Sequence, residues 1–182
     1  MNILPPHRPQ ELAATTAALL ARAGVTEPVA LLGERGYFRD SLGRPGENDR
    51  GIYDDALTLH TPAVHACFNA NTDPSVTRRG VAVLKPGLWR YQLGVHNLSK
   101  PVGRRYLALV QAAPVTVHRD GGADDTGVFG INIHHGNFGS TSSLGCQTIY
   151  PAQWDSFFAL VKGELLRHRQ TVVPYLLIER QG

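Results

Sequence analysis

The chain has 182 residues, of which 42% are apolar and 18% charged, and its formal net charge is +3. This balance excludes the disordered class, and the length favours one domain with at most a small appendage. Two cysteines are too few for a disulfide scaffold, and the scattered basic residues form no stripe, which argues against nucleic-acid binding.

The N-terminal residues do not read as a secretory signal peptide, because prolines and charges interrupt them before an apolar run can form. No stretch approaches the roughly 18 apolar residues that a membrane span needs. We therefore expect synthesis in the cytoplasm and no membrane span. Residues 10–23 are rich in Ala and Leu and stop at Gly24, which predicts a short helix. We interpret residues 1–30 as a helical appendage and residues 31–182 as a single domain.

Most of the remaining chain predicts short strands between turns. Residues 33–55 are polar and rich in turn formers, which favours a long loop or a hairpin, and residues 104–111 fit either a helix or a strand. Pro151 starts a run with helical apolar spacing, which predicts an amphipathic helix near the C-terminus. The expected fold is mostly β, of the α+β class. The predicted strands lie at 52–60, at 81–84 and 88–95 as a hairpin around "KPG", at 115–118, at 127–134 and at 172–179.

One segment, "NIHHGNFGSTSSLGCQTI" over residues 132–149, carries the chemistry. A cysteine nucleophile reacts as its thiolate, so it needs a base or a positive neighbour. The attacked carbonyl needs backbone N–H groups aimed at its developing oxyanion. Gly145 lets the backbone turn just before Cys146, and Ser143 adds a hydroxyl upstream. The segment therefore predicts Cys146 as a nucleophile with an imidazole within reach.

Two adjacent histidines are candidates for the base. Ile131 and Ile133 share one face of the predicted strand, and Asn132 and His134 share the other. If the isoleucines face the core, His134 points to the open side, which favours it. His135 falls on the isoleucine side or in the following turn, and it stays an alternative because strands often bulge beside active sites.

The residues I-H-H-G at 133–136 and S-L-G-C at 143–146 resemble the L,D-transpeptidase catalytic-domain family, nearest to compact members with an H-x-G pattern. That family has a strand histidine, a glycine, a loop and then Ser-His-Gly-Cys. The resemblance covers residues 131–149. It implies a β-sandwich or barrel fold, Cys146 as nucleophile, the strand histidine as base, and an oxyanion hole that includes the backbone of Gly145 and Cys146. The resemblance also implies that Gly136, Ser143 and Gly145 belong to the loop that forms the site.

The chain departs from the family pattern at two positions. Leu144 stands where the family has a second histidine, and Thr148 stands where it has an arginine. Gln147 or an arginine from elsewhere would then orient the substrate. Candidate substrate contacts are Asn132, Gln147 and His96.

The resemblance implies a cysteine-dependent enzyme that acts on the peptide stem of peptidoglycan. The Cys146 thiolate would attack the carbonyl of the third, diamino-acid residue and expel D-alanine, and the acyl-enzyme would then pass to an amine or to water. Transpeptidase, carboxypeptidase and endopeptidase outcomes stay open, as does the oligomeric state. Neither a cofactor nor a metal is expected, and a phage lysis system or a secretion machine would deliver the protein to the cell wall or periplasm.

Two other interpretations remain. A non-catalytic cell-wall-binding or phage-associated module would keep the fold without the second histidine and the arginine. A zinc-dependent peptidase would use the scattered histidines, although their spacing fits no compact zinc motif. A catalytic Cys146 is expected to have a low pKa and to react quickly with iodoacetamide near pH 6, whereas Cys67 is expected to be a core residue.

Overall fold

The computed structural model describes residues 2–180, which contain two α-helices, α1 (Ala13–Arg22) and α2 (Pro151–Arg167). The first residue and the last two, at the ends of the predicted appendage and domain, lie outside the described residues. No helix in the described part is long and apolar enough to cross a membrane. The strands are β1 (Ala30–Arg35), β2 (Asp55–His60), β3 (His65–Asn71), β4 (Ala82–Leu84), β5 (Gly87–His96), β6 (Tyr106–Gln111), β7 (Val115–Arg119), β8 (Asp124–Gly127), β9 (Ile133–His135), β10 (Gln147–Ile149) and β11 (Val172–Glu179).

Eight strands close a barrel in the order β1–β11–β5–β6–β9–β10–β3–β2. Strands β4, β7 and β8 form a separate antiparallel sheet. Within the barrel, β1 runs parallel to β11 and β9 parallel to β10, while the other neighbours are antiparallel. Closure leaves the barrel without an edge strand that could pair with another chain. The expectation of a mostly β, α+β fold with two helices is confirmed.

One continuous apolar core fills the barrel and extends under α2. Helix α2 buries Phe157 and Val161 completely, and the Phe157 ring lies edge-on to Phe68 of β3 at 5.2 Å between centroids. Inside the barrel, Tyr175 fits only because residue 33 is glycine: a Cβ at Gly33 would lie 2.1 Å from the tyrosine hydroxyl. Size matching across the barrel therefore constrains the sequence of β1 and β11.

Both predicted helices are confirmed: α1 ends just before Gly24, and α2 begins at Pro151. Helix α1 stops before Gly24, whose φ is +77°, a conformation that glycine adopts without strain. It packs Leu20 against Leu32 of β1 and Leu176 of β11. Helix α2 has Pro151 in its first turn, where a missing backbone N–H costs nothing.

The predicted hairpin around residues 85–87 is wrong. Strand β4 pairs with β7 in the small sheet, whereas β5 pairs with β11 and β6 in the barrel. The chain changes sheets at this turn, where the Trp89 indole N–H donates to the Lys85 carbonyl at 2.9 Å. Alternation along a strand shows which face is buried but does not show which strand is its partner. The hairpin prediction therefore rests only on the two strands being consecutive in the chain. Sequence patterns also missed β1, β3 and β10, and they left residues 106–111 undecided, which form β6. The single strand predicted at 127–134 is wrong, because β8 ends at Gly127 and β9 begins only at Ile133.

A buried group of charges fixes the segment that follows β3. Arg35 donates to the Thr72 hydroxyl at 3.1 Å and forms an ion pair with Asp73 at 3.2 Å. Asp55 accepts hydrogen bonds from Gly36 N at 2.6 Å and from Thr72 N at 2.5 Å. Asp54, next in the chain to Asp55, is fully buried, and burial together with the Asp55 charge raises its pKa to about 9.

We expect Asp54 to make stability fall as pH rises. The folded chain holds the Asp54 proton up to a pKa of about 9, whereas an exposed aspartate carboxyl has a pKa of 3.8, so the folded state binds more protons between these values. Asp54→Asn should flatten this dependence in urea unfolding followed from about pH 5 to about pH 9. Asp40→Asn, at an exposed position, is the matched control. The same slope in Asp54→Asn and in the unmodified protein would contradict the assignment.

Candidate active site

The parallel pairing of β9 and β10 brings the two ends of the predicted site segment together. Gln147 lies opposite Ile133 and Thr148 opposite His134, so Cys146, just before β10, comes beside Asn132, just before β9. The sulfur accepts a hydrogen bond from Asn132 N at 3.4 Å, and the thiol donates to the Gly130 carbonyl at 3.4 Å. Cys146 is therefore held at one end of the barrel, next to the strand that carries both candidate histidines.

Ser143 locks the loop immediately before the cysteine. Its hydroxyl donates to the Cys146 carbonyl at 2.6 Å and accepts from Gly145 N at 3.0 Å. Its backbone is bonded to Ser75 in both directions, at 2.7 Å and 2.8 Å. Gly145 has a φ of +134°, and a Cβ there would lie 2.8 Å from the Ala82 carbonyl oxygen. These two loop residues shape the backbone that presents the sulfur.

Gly136 has a packing role at the other end of the loop. A Cβ there would lie 2.1 Å from the hydroxyl of Tyr53. That hydroxyl donates to the Asn137 carbonyl at 2.8 Å and thereby fixes the start of the loop. The close approach of Tyr53 to the backbone requires glycine at this position.

Of the two candidate bases, His134 is the one beside the thiol. A ring nitrogen of His134, a ring nitrogen of His96 and the Cys146 sulfur all lie within 4.8 Å of one another. The His96 ring, at the end of β5, stacks on His134 with centroids 4.1 Å apart. His135 turns elsewhere: its ring stacks on Tyr106 at 4.4 Å. Strand parity likewise favours His134, on the same face as Asn132.

Hydrogen bonds assign the tautomer of His134. Its Nδ1 lies 2.6 Å from the His135 backbone carbonyl, which can only accept, so Nδ1 carries the proton. The Tyr106 hydroxyl lies 3.1 Å from the same nitrogen. In the neutral ring Nε2 therefore presents a lone pair, which is what a base for the thiol requires.

His96 is held in the opposite tautomer. Asn132 Oδ1 accepts from Gln111 N at 3.1 Å, which fixes the orientation of the side-chain amide. Asn132 Nδ2 then faces His96 Nδ1 at 3.0 Å and can only donate. In neutral His96 the proton therefore sits on Nε2. The site combines one imidazole that offers a lone pair with one that offers an N–H.

Burial keeps the thiol and the imidazole neutral in the free protein. It lowers the pKa of His134 to about 3, with a further lowering by His96, and it raises the pKa of Cys146 to about 11. The hydrogen bond from Asn132 N opposes the shift of the thiol. Burial also lowers the pKa of His96. The low pKa expected for a catalytic Cys146 is therefore wrong for the resting state, because the half-buried sulfur loses much of its solvation and has no positive charge beside it.

The hydrogen-bond network also decides how well the site fits a metal. Within the described residues, His96, His134 and Cys146 form the one group of three close side chains of metal-ligating type. Catalytic zinc takes three protein ligands, each through a lone pair. His96 Nε2 carries a proton, and reversing this would break the bond between Asn132 and Gln111. A metal held by all three side chains would therefore require His96 to exchange its tautomer and the Asn132 amide to turn.

Two depressions meet at His96 and Asn97, which line both. One, of about 710 Å³, has mostly apolar walls formed by Val95, Leu98, Val110 and Val128. The other, of about 760 Å³, is polar and is lined by Arg104, Arg105, Tyr106, His134 and His135. The Cys146 sulfur bonds to two residues of the apolar depression, Gly130 and Asn132, and lies beside His134 of the polar one. Cys146 itself lines neither depression, but its sulfur lies next to residues that line each of them.

Gln147 and Cys67 do not have the surroundings that the sequence predicts. Gln147 is fully buried: its amide donates to the Gly145 carbonyl at 3.2 Å and accepts from Tyr175 at 3.2 Å. The expectation that Gln147 contacts substrate is wrong, because residues of β10 alternate and this one faces the barrel interior. Cys67 is half-buried on β3 rather than a full core residue, and it accepts a hydrogen bond from Thr58.

Sequence reasoning missed the residues that come from outside the segment. Tyr106 and Ser75 contact it from other strands or their ends, and neither carries a local signal. His96 closes an apolar strand, and only that rim position suggested a place near the cleft. Comparison of the chain with models of protein families, with curated proteins and with solved structures gave no match. The function is therefore argued from the site itself.

We expect the rate of Cys146 alkylation by iodoacetamide to rise with pH toward its pKa of about 11, without a fast plateau near about pH 6. The thiol is neutral at rest, and only the small thiolate fraction reacts. Mass spectrometry of the modified peptide gives the rate at Cys146 separately from Cys67. Cys146→Ser confirms the assignment of the peptide. A rapid, pH-independent reaction below neutrality would contradict a neutral resting thiol.

Proposed function

We propose that the protein is a cysteine-dependent enzyme of L,D-transpeptidase type that acts on peptidoglycan stem peptides. The observation that carries the proposal is that the Cys146 sulfur, a ring nitrogen of His134 and a ring nitrogen of His96 lie within 4.8 Å of one another, beside the polar depression that both histidines line. The resemblance of residues 131–149 to that family supports the choice of substrate. Ser143 and Gly145 support the backbone shape that such a nucleophile needs.

The proposed reaction starts from the neutral pair. His134 Nε2 takes the thiol proton as the sulfur bonds to the carbonyl carbon of the third stem residue, so that the thiolate exists only during attack. When the C–N bond breaks, the imidazolium returns that proton to the leaving amine of D-alanine. The His135 carbonyl, 2.6 Å from Nδ1, holds the ring in the required tautomer and stabilises its positive charge. An amine or water then attacks the thioester with the same base.

We assign two groups to the stabilisation of the oxyanion. The N–H of Gly145 is occupied by the Ser143 hydroxyl, so it does not contribute as the resemblance implied. The N–H of Cys146 has no hydrogen-bond partner among the described residues, which leaves it available. His96 Nε2–H is the second donor, and it supplies from β5 the imidazole that Leu144 does not provide.

The presence of two depressions beside the thiol supports a reaction with an acyl donor on one side and an acceptor on the other. Each has room for several residues of a peptide. Transfer to an amine and transfer to water share the same acyl-enzyme, and the acceptor that reaches the thioester decides between them. The proposal therefore covers transpeptidase and carboxypeptidase outcomes.

Cys146→Ala is expected to abolish release of D-alanine from tetrapeptide muropeptides, with a loss of about a thousand-fold or more, because the proposed acyl-enzyme forms on the Cys146 sulfur. Mass spectrometry of the muropeptides reports the bond cleaved and the acceptor. Cys67→Ser is the matched control and should keep activity. Circular dichroism should show both variants folded.

Three outcomes of that experiment would count against the proposal. Unchanged turnover in Cys146→Ala rejects the nucleophile. Loss of activity with a chelator, together with metal found by elemental analysis, indicates a zinc peptidase. Binding of muropeptides by the unmodified protein without any turnover indicates a non-catalytic cell-wall-binding module.

His96→Phe is expected to lower kcat about a hundred-fold with little change in KM, because it keeps a flat stacked ring but removes the N–H donor to the oxyanion. His96→Asn retains an N–H and should recover part of the loss. Steady-state kinetics on tetrapeptide stems measure both parameters. Alkylation of Cys146, which forms no oxyanion, serves as the control and should change far less than kcat. Equal kcat values in the two variants would exclude the donor role.

A further inference from the structure

The connection between β5 and β6, residues 97–105, forms one wall of the polar depression. It carries Lys100, Arg104 and Arg105 and no acidic residue. Both arginines line the depression, and Tyr106, which follows them directly, lies 3.1 Å from His134 Nδ1. Two permanent positive charges therefore lie on the same side of the thiol as the proposed base.

The protein leaves these charges unneutralised. Basic residues at the small sheet, by contrast, pair with acids: Lys85 with Asp124, and Arg119 with Asp125 at 3.0 Å. Within the part of the chain that the structure describes, neither Arg104 nor Arg105 has a salt-bridge partner. The segment that faces them, residues 126–154, contains no Asp, Glu, Lys or Arg. An anion entering the depression meets positive charge on one wall and no carboxylate on the other.

The connection that carries the arginines is ordered by its own hydrogen bonds. A short 3₁₀ turn spans Val102–Arg104. Arg104 N donates to the Pro101 carbonyl at 2.8 Å, and the Asn97 amide donates to the Arg104 carbonyl at 3.3 Å. The Arg105 Nε donates to the Lys100 carbonyl at 2.7 Å, which leaves its two terminal nitrogens free. A planar guanidinium held in this way can bind a carboxylate through two parallel hydrogen bonds.

The proposed reaction determines which anion arrives there. His134 must return its proton to the leaving amine, so the leaving D-alanine lies beside His134, which lines the polar depression. The free carboxylate of D-alanine is one carbon away from that amine. The carboxylate must therefore lie in the same depression, where Arg104 and Arg105 are the available cations.

We propose that Arg104 and Arg105 bind the C-terminal carboxylate of the donor stem and select stems that end in a free acid. This inference rests on the proposed function and deepens it. Thr148, where the resembling family has an arginine, is fully buried opposite His134 in β10. In this chain the charge that orients the substrate comes from the β5–β6 connection instead.

The test compares two tetrapeptide stems that differ only at the C-terminus, a free carboxylate and a carboxamide. For the acid, Arg104→Ala/Arg105→Ala should raise KM about ten- to a hundred-fold with a smaller change in kcat. For the carboxamide, the same double variant should behave like the unmodified protein. The lysine double variant keeps charge without the planar fork and should fall between them. Arg78→Ala/Arg79→Ala, exposed and outside the depression, is the matched control.

A binding measurement separates this inference from the proposed function. Calorimetry with Cys146→Ala should show weaker binding of the acid stem when Arg104 and Arg105 are also replaced. The difference should shrink as salt is added. Equal KM for the acid in the double variant and the unmodified protein, or equal binding in the calorimeter, overturns the arginine site while leaving Cys146 chemistry intact. Absence of turnover in the unmodified protein together with arginine-dependent binding rejects the enzyme and keeps the carboxylate site.

Discussion

The parallel pairing of β9 with β10 is the constraint on which the site depends. Parallel neighbours cannot be joined by a tight turn, so the chain must leave the barrel after His135 and return before Gln147. The return places Cys146 at the same barrel end as Asn132. Ser75 and Ser143 then fix the returning loop, and the buried charges around Arg35 fix the segment that carries Ser75. A thiol far along the chain from the strand histidine is thereby held beside it.

The chemistry of the site follows from burial combined with fixed tautomers. The buried imidazole of His134 and the half-buried thiol of Cys146 both remain neutral, because loss of solvation disfavours their charged forms and no resident counter-charge offsets it. Backbone and amide partners nevertheless predetermine which nitrogen accepts and which donates. The site thus fixes the orientation of the two imidazoles, while His134 and the thiol stay uncharged. In the resting state the thiol donates to the Gly130 carbonyl, so the proposed transfer to His134 requires the S–H bond to rotate while the two rings keep their tautomers.

Local patterns predicted the elements whose signals lie within them. Helix α2 begins at Pro151, α1 ends before Gly24, and β11 matches the apolar run at 172–179. The pairing of strands was not predictable, since β4 and β5 look like a hairpin but belong to different sheets. Strand β1 was missed because it is buried along its whole length and so lacks alternation. Periodicity reports which face is buried and does not report the partner.

For the site, the sequence by itself determined the segment that carries the thiol, the glycines around it and the parity that favours His134 over His135. Only the tertiary structure decided that His96 stacks on that ring, that Gln147 faces the barrel interior, and that the thiol is neutral at rest. The physical reason is the separation along the chain over which each effect acts. Backbone geometry and strand alternation act over a few residues, whereas burial, tautomer and charge depend on side chains delivered from strands far away in the chain.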